Sequence, residues 1–486
     1  MSTKATTVSA QTLVSTAVPA AKLPQYVAAL IATIGGFCLG TVLGWTSPVL
    51  TSLSDYYGFE VNVDSQAWIG SIMAIGAMVG GLPMSWMLDT FGRKSTIIIL
   101  TVPTVAAWMM IIFAPSVTVI CIARFILGFT TGAYAVAVPL YTSEISENEI
   151  RGTLGTYFQL QLTIGITSAY ILGSLLPIFW MTMVCGCIPV VLALAMLIIP
   201  ETPTYYLKKF RVDEARKALQ WFRGSHYDVE PELMLLKANL DQMEAERVPF
   251  TQAFVTTPAK RGLVVGLGVM FFQQVQVESM LSYSTPESIF KAAGSSMSPS
   301  LQTIIVGLIM VVMTWVATLA IDRAGRRPLL LISASIMAIC TAILGVYFLL
   351  LEKTPDFAKT IGSVPIVSLS IFIIVFSLGF GPIPWMFMSE IFPPQIKGPA
   401  CSIACFFNWF SVFMVTKFFG DLQSKFGSYG TFWIFSGISI AGTFFVLNLV
   451  PETKGKSMEE IQKELGATPQ MTPEDRMENG QKPAKF

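Results

Sequence analysis

The sequence predicts an all-α membrane protein of twelve transmembrane helices in two six-helix bundles, with a cytosolic helical segment between the halves. Three observations predict it. Only 13% of the 486 residues are Asp, Glu, Lys or Arg, against about 25% in soluble domains, and the mean hydropathy is +0.63. Apolar stretches fall near 26–48, 66–88, 95–114, 117–140, 153–174, 178–199, 262–283, 301–321, 328–351, 364–388, 400–419 and 430–450. Each is about as long as the roughly 20 residues that a hydrocarbon core of about 30 Å demands. Lastly, three short charged motifs each occur twice, in the same order, at matching ends of these stretches.

The composition excludes a disordered chain, a nucleic-acid binder with a basic surface and an ordinary cytosolic enzyme. Residues 1–23 read as a cytosolic tail. It is Ser/Thr-rich, and its small residues Ala17, Pro19, Ala20 and Ala21 precede the first apolar run, the wrong order for a cleavable signal. The first bundle spans 24–200 and the second 261–450. Between them, 201–260 is a charged linker with amphipathic helices: Val212, Ala215, Leu219 and Phe222 fall at helical spacing. Residues 451–486 read as a second cytosolic tail. With both termini in the cytosol, 25 of the 31 Lys and Arg lie inside and five outside, with Arg124 inside a span. That is the positive-inside pattern.

All seven cysteines, Cys38, Cys121, Cys185, Cys187, Cys340, Cys401 and Cys405, lie in apolar runs, so no disulfide framework is expected. The one histidine, His226, lies in the charged linker, and no metal site or cofactor is expected.

The repeats carry the argument for two halves. Asp89-Thr90-Phe91-Gly92-Arg93-Lys94 after the second span matches Asp322-Arg323-Ala324-Gly325-Arg326-Arg327 after the eighth. Ser143-Glu144-Ile145 with Arg151 after the fourth matches Ser389-Glu390-Ile391 with Lys397 after the tenth. Pro200-Glu201-Thr202 after the sixth matches Pro451-Glu452-Thr453 after the twelfth. A duplicated bundle points to transport by rocking around a midplane site. The motif charges lie where they are partly desolvated. Asp89 with Arg93, Asp322 with Arg323 and Arg326, and Glu144, Arg151, Glu390 and Lys397 between neighbouring helices are read as a gate network, with Glu201 and Glu452. Snorkelling alone explains the cations but not the matched carboxylates.

These motifs, with Arg124-Phe125-Ile126-Leu127-Gly128, Gly381-Pro382-Ile383-Pro384-Trp385 and Asn408-Trp409, resemble the sugar porter family of the major facilitator superfamily, over about Gln25 to Gly455. The run Gly44-Trp45-Thr46-Ser47-Pro48 is most similar to the insect branch, which contains facilitated trehalose and hexose transporters. The resemblance implies the major facilitator fold, a plasma-membrane location and a neutral sugar bound mainly by the second bundle. It assigns substrate contacts to Gln159, Gln273, Gln274, Phe376, Trp385, Asn408 and Trp409. Elementary chemistry agrees. Amides donate and accept, as sugar hydroxyls require, and aromatic faces suit sugar C–H surfaces. Gln273 and Gln274 are adjacent and point about 100° apart, so one binds sugar while the other bonds a neighbouring helix. Pro382 and Pro384 with Gly379 and Gly381 break the tenth span, which reads as a hinge.

The sequence departs from the family pattern at Val277, Ser279 and Ser284, where the family has a Gly, an Asn and a Tyr. It also has Met310 near a family asparagine and Thr90 at a usual Arg. Ser279 is kept as a substrate contact and Tyr283 as the external gate. Glu278 lies within a span, where an ionisable group is a functional candidate. It reads either as a proton-coupling residue, together with Arg124, or as a carboxyl near the outer helix end. Proton-coupled members place an Asp in the first helix, and no acidic residue occurs between Pro24 and Leu53. The leading expectation is therefore a uniporter of glucose or a related hexose, and not an enzyme. The alternatives are a trehalose transporter, a proton-coupled symporter using Glu278, and a non-transporting sugar sensor. The partners expected are a small neutral sugar and the bilayer, with no nucleic acid and no obligate protein partner.

Overall fold

The computed structural model describes residues 19–49, 52–147, 149–245, 256–283, 299–393, 396–456 and 458–466. All regular structure among them is helical. Eight helices are long and apolar enough to cross a membrane, and a ninth crossing is a pair, Asp64–Gly80 and Met84–Phe91, bent by 53°. Pro83 heads the second piece. It has no N–H to continue the ladder, which accounts for a bend that the apolar stretch did not disclose.

Two further helices, Arg151–Leu175 and Thr257–Tyr283, are as long but less apolar. Their polar residues, among them Gln159, Gln161, Gln273, Gln274 and Gln276, are the reason. Such residues in a span face the bundle interior. The helix Lys397–Leu449 has 53 residues, about 80 Å at 1.5 Å per residue. That is more than twice the length of one crossing, and Gly427, at φ 70° and ψ 174°, divides it. The spans are then twelve, as the sequence predicts. The tenth is also divided, into Val364–Leu378 and Ile383–Ile391.

The packing repeats with the sequence. The first span lies against the fourth and fifth, and the second against the fourth. In the second half the seventh span packs on Lys397–Leu449, and the ninth on the tenth. Each half has its own apolar core. The halves meet along two seams, the second span with Lys397–Leu449 and the fifth with the eighth. Exchanging the halves exchanges these seams. Cys405, Trp409 and Val412 of the eleventh span join the first half's core.

The described residues before the first span and after the twelfth, and the described linker helices, lie at the same ends of the spans, a face called here the linker face. The expected amphipathic helix forms as Val212–Arg223. Ala215 and Leu219 sit in a small core with Leu207 and Leu233, and Phe222 joins the first half's core. Arg223 Nη2 pairs with Glu232 at 2.7 Å, and its Nη1 donates to Ile145 O at 2.9 Å. In the second half Gln462 Nε2 donates to Ile391 O at 2.9 Å. Ile145 and Ile391 are equivalent in the repeat. Each half therefore satisfies one orphan carbonyl at the same helix end with a side chain from a helix on the linker face. The seven cysteines are unpaired, as expected.

Candidate functional site

The centre of the molecule holds a chain of amides. Gln274 Nε2 donates to Asn408 Oδ1 at 3.1 Å. Asn408 Nδ2 donates to Gln273 Oε1 at 3.1 Å and approaches Met270 Sδ at 3.3 Å. Gln273 Nε2 donates to Phe380 O at 2.8 Å and to Gly381 O at 2.9 Å. The chain joins the seventh span to the eleventh and ends on the broken turn of the tenth. Asn408 is fully buried and Gln273 nearly so, whereas Gln274 is half-buried. Both adjacent glutamines bond Asn408, and Gln273 alone also reaches the tenth span.

Phe376 and Trp409 are buried. Trp385 is half-buried, and its ring lies 6.3 Å from that of Phe158, across the joint between the halves. Gln159, one residue on, is buried, and its Oε1 has no hydrogen-bond partner. It is not bonded to the amide chain. A buried acceptor of this kind is open to a water or to a ligand hydroxyl.

The repeated motifs build two clamps on the linker face. In the first half Arg93 Nη2 pairs with Glu144 at 2.9 Å, and Asp89 lies 3.6 Å from Arg93 Nη1. Thr202 Oγ1 donates to the other Glu144 oxygen at 2.6 Å. Glu201 accepts from the backbone N–H of Lys94 at 2.9 Å and of Thr202 at 2.8 Å. In the second half Arg326 Nη2 pairs with Glu390 at 3.1 Å, and Thr453 Oγ1 donates to Glu390 at 2.6 Å. Glu452 accepts from four backbone N–H groups, those of Arg326, Arg327, Thr453 and Lys454, at 2.9–3.0 Å. Gly92 and Gly325 have φ of 95° and 91°, and a Cβ on either would run into the Glu201 or Glu452 carboxylate. Glycine is required there twice over.

The two glutamates differ. Burial pushes the Glu201 carboxyl above its ordinary value, more than its N–H donors and Arg93 pull it down. Burial also pushes Glu452 up, but its four N–H donors outweigh that and hold it below the ordinary value.

The sequence reading is corrected in one respect. Glu144 and Glu390 do not pair with Arg151 and Lys397. Their partners are Arg93 and Arg326, which the helix-starting glycines aim inward, while Arg151 Nη2 turns back to Ser146 O at 3.3 Å. Lys397 lies in electrostatic range of Arg151, Glu144 and Glu390 without an ion pair. Arg323 contributes its carbonyl, which accepts from Lys454 Nζ at 2.6 Å. Thr202 and Thr453 were missed as clamp residues, although the repeated Pro-Glu-Thr motif contains them.

Arg124 is 1% exposed. It donates to Val42 O at 2.7 Å, Ile69 O at 3.2 Å and Thr46 Oγ1 at 2.9 Å, and it lies 5.6 Å from the Trp45 ring. No carboxylate pairs with it among the described residues. The side chains of Glu278, Ser279, Tyr283 and Asp322 lie outside the described residues.

The model of the sugar (and other) transporter family matches residues 28–465. The facilitated trehalose transporter Tret1 of Culex quinquefasciatus is 38% identical over 469 residues, covering 94% of this chain and 90% of that protein. Tret1 of Anopheles gambiae is 38% identical over 447 residues, covering 91% of this chain and 56% of that protein. Among solved structures, the major facilitator proton:xylose symporter XylE bound to 6-bromo-6-deoxy-D-glucose superposes with a TM-score of 0.77 at 24% identity. The match covers 91% of this chain and 99% of that one.

Proposed function

This chain belongs to the sugar (and other) transporter family, and from that premise we propose that it carries trehalose by facilitated diffusion, as a uniporter of the plasma membrane with the linker face in the cytosol. The observation that carries the proposal is the similarity to named trehalose transporters over more than nine-tenths of the chain. It reverses the order that the sequence reading gives, in which a hexose stands first.

The central chemistry supports a neutral polyhydroxyl substrate. Gln274 and Gln159 offer amides that donate and accept, and Trp385 and Trp409 offer faces for sugar C–H groups. The halves rock about the two seams, and each clamp ties together the linker-face helix ends of its own half, so that the half moves as a unit. Arg124 supports uniport, because carbonyls and a hydroxyl occupy it where a coupled carrier needs a protonatable acid.

Radiolabelled uptake in proteoliposomes with trehalose, glucose, fructose, galactose and inositol tests the substrate. Trehalose flux exceeding the others is expected. Uptake of a hexose with none of trehalose overturns the choice of substrate, and no uptake at all favours a sensor.

A further inference from the structure

The second span is bent by 53° between Asp64–Gly80 and Met84–Phe91. Its repeat mate, Pro299–Ala324, is one unbroken helix. Inward of the bend the second span packs closely on the eleventh, and beyond it, toward the linker face, their contact is sparse. The bend thus leaves a groove of about 540 Å³ between the halves. Leu82, Trp86 and Ile403 line it and are exposed. On apolar spans such exposed faces meet lipid, and a Trp near a span's end sits at interface depth. The groove therefore opens onto the bilayer.

One hydroxyl in it is idle. Span hydroxyls ordinarily donate to a carbonyl of their own helix, as those of Ser71, Ser411 and Ser439 do. Ser402 lines the groove and is 7% exposed, and its Oγ has no partner. Across the groove stands Ser85, whose Oγ would lie 3.7 Å from a Cβ on Gly398, one turn before Ser402. Among the lining residues Asp89 alone is charged, and Lys208 at 3.1 Å and Arg93 at 3.6 Å already hold it. A phosphate headgroup would meet an acid there, and an ammonium headgroup would have to displace two cations.

We propose that this groove is a sterol site. A sterol brings a rigid apolar body and one neutral hydroxyl. The body lies against Leu82, Trp86 and Ile403, and the oxygen accepts from Ser402 Oγ while its proton goes to Ser85. The two walls belong to different halves, so the occupant favours one separation of them and slows their rocking. That consequence rests on the transport reading above, whereas the site itself does not.

The probe is cholesterol carrying a photoreactive diazirine, given to the purified full-length chain in phosphatidylcholine nanodiscs. Label is expected in peptides covering residues 82–90 and 399–403, and unlabelled cholesterol should displace it. Ser402→Ala removes the idle donor with little change of packing and should lower labelling about fivefold. Ser85→Phe fills the groove and should abolish labelling there. The cholesterol analogue lacking the hydroxyl should compete about fivefold less well than cholesterol. Labelling spread over the lipid-facing helices overturns the proposal. So does groove labelling that Ser402→Ala leaves unchanged, or that phosphatidylethanolamine or phosphatidylserine displaces as well as cholesterol does. In proteoliposomes cholesterol should lower saturating trehalose flux about threefold in the wild type and leave Ser85→Phe unaffected. Equal effects on both proteins overturn the link between the site and the rocking. A wild-type protein that moves no trehalose defeats the transport reading alone, and the labelling still decides the site.

Discussion

The two halves carry the same clamp but are knit together differently. In the first half, several glycines bring backbone against backbone. A Cβ on Gly40 would strike Leu162 O, one on Gly76 would strike Phe125 O, and one on Gly128 would strike Met73 O. In the second half, Gly379 still meets the Leu329 carbonyl, but other glycines face aromatic rings: Gly266 meets Phe392, Gly268 meets Phe445 and Gly345 meets Trp433. Small residues at close approach are how membrane helices pack where lipid is as apolar as the side chains. A backbone contact cannot yield, whereas a ring can turn. The first half is a stiff frame, and the second half, with the amide chain and the broken tenth span, is the adjustable one.

Substituting the glycines is the harshest way to break this comparison. Gly40→Ala should destabilise by about 3 kcal/mol or abolish folding, because the fifth span must move bodily. Gly266→Ala should cost about 1 kcal/mol, since the Phe392 ring can rotate away. Thermal unfolding in detergent measures both, and equal losses would dissolve the contrast.

The clamp glutamates come next. Glu452→Gln removes a charge held by four backbone donors and should cost about 1–2 kcal/mol, discounted for its half-exposed position. Glu201→Gln should cost less, because burial already favours the neutral form of that carboxyl. The pH dependence then has opposite signs. Glu452 is depressed, so its stabilisation is full above the ordinary carboxylate value of about 4.3 and is lost as pH falls through the lowered value. Glu201 is raised, so the folded state takes up its proton first and gains stability as pH falls. Between about pH 7 and about pH 3.5, the melting gap of Glu452→Gln should shrink and that of Glu201→Gln should widen. Parallel gaps would mean that the two carboxylates are held alike.

The smallest effect is expected at Lys208, whose pair with Asp89 at 3.1 Å is exposed. Lys208→Ala should shift stability by about 0–1 kcal/mol. A loss like that of Glu452→Gln would make this strut part of the clamp.

Much of this was legible in the sequence. Twelve apolar stretches and three duplicated motifs fix the spans and the halves, and Gly379 to Pro384 announce the broken tenth span. The bend at Pro83 was hidden, because an apolar stretch reads the same through a kink. The partners of Glu144 and Glu390 were hidden too. Arg151 and Lys397 are nearer in sequence than Arg93 and Arg326, but the backbone turn after each helix points them away. For Gln273 and Gln274 the sequence showed that the two must differ. It did not show that Gln273 alone reaches the Phe380 carbonyl, 107 residues away, because that depends on the rotation of the seventh span.

The uniport proposal stands on the central amides and on a buried arginine that, among the described residues, is satisfied without an acid. Trehalose uptake into proteoliposomes, with and without an imposed pH gradient, tests this most directly. The predicted result is the same plateau in both, at the external concentration. Accumulation above that concentration when the gradient is applied would contradict it.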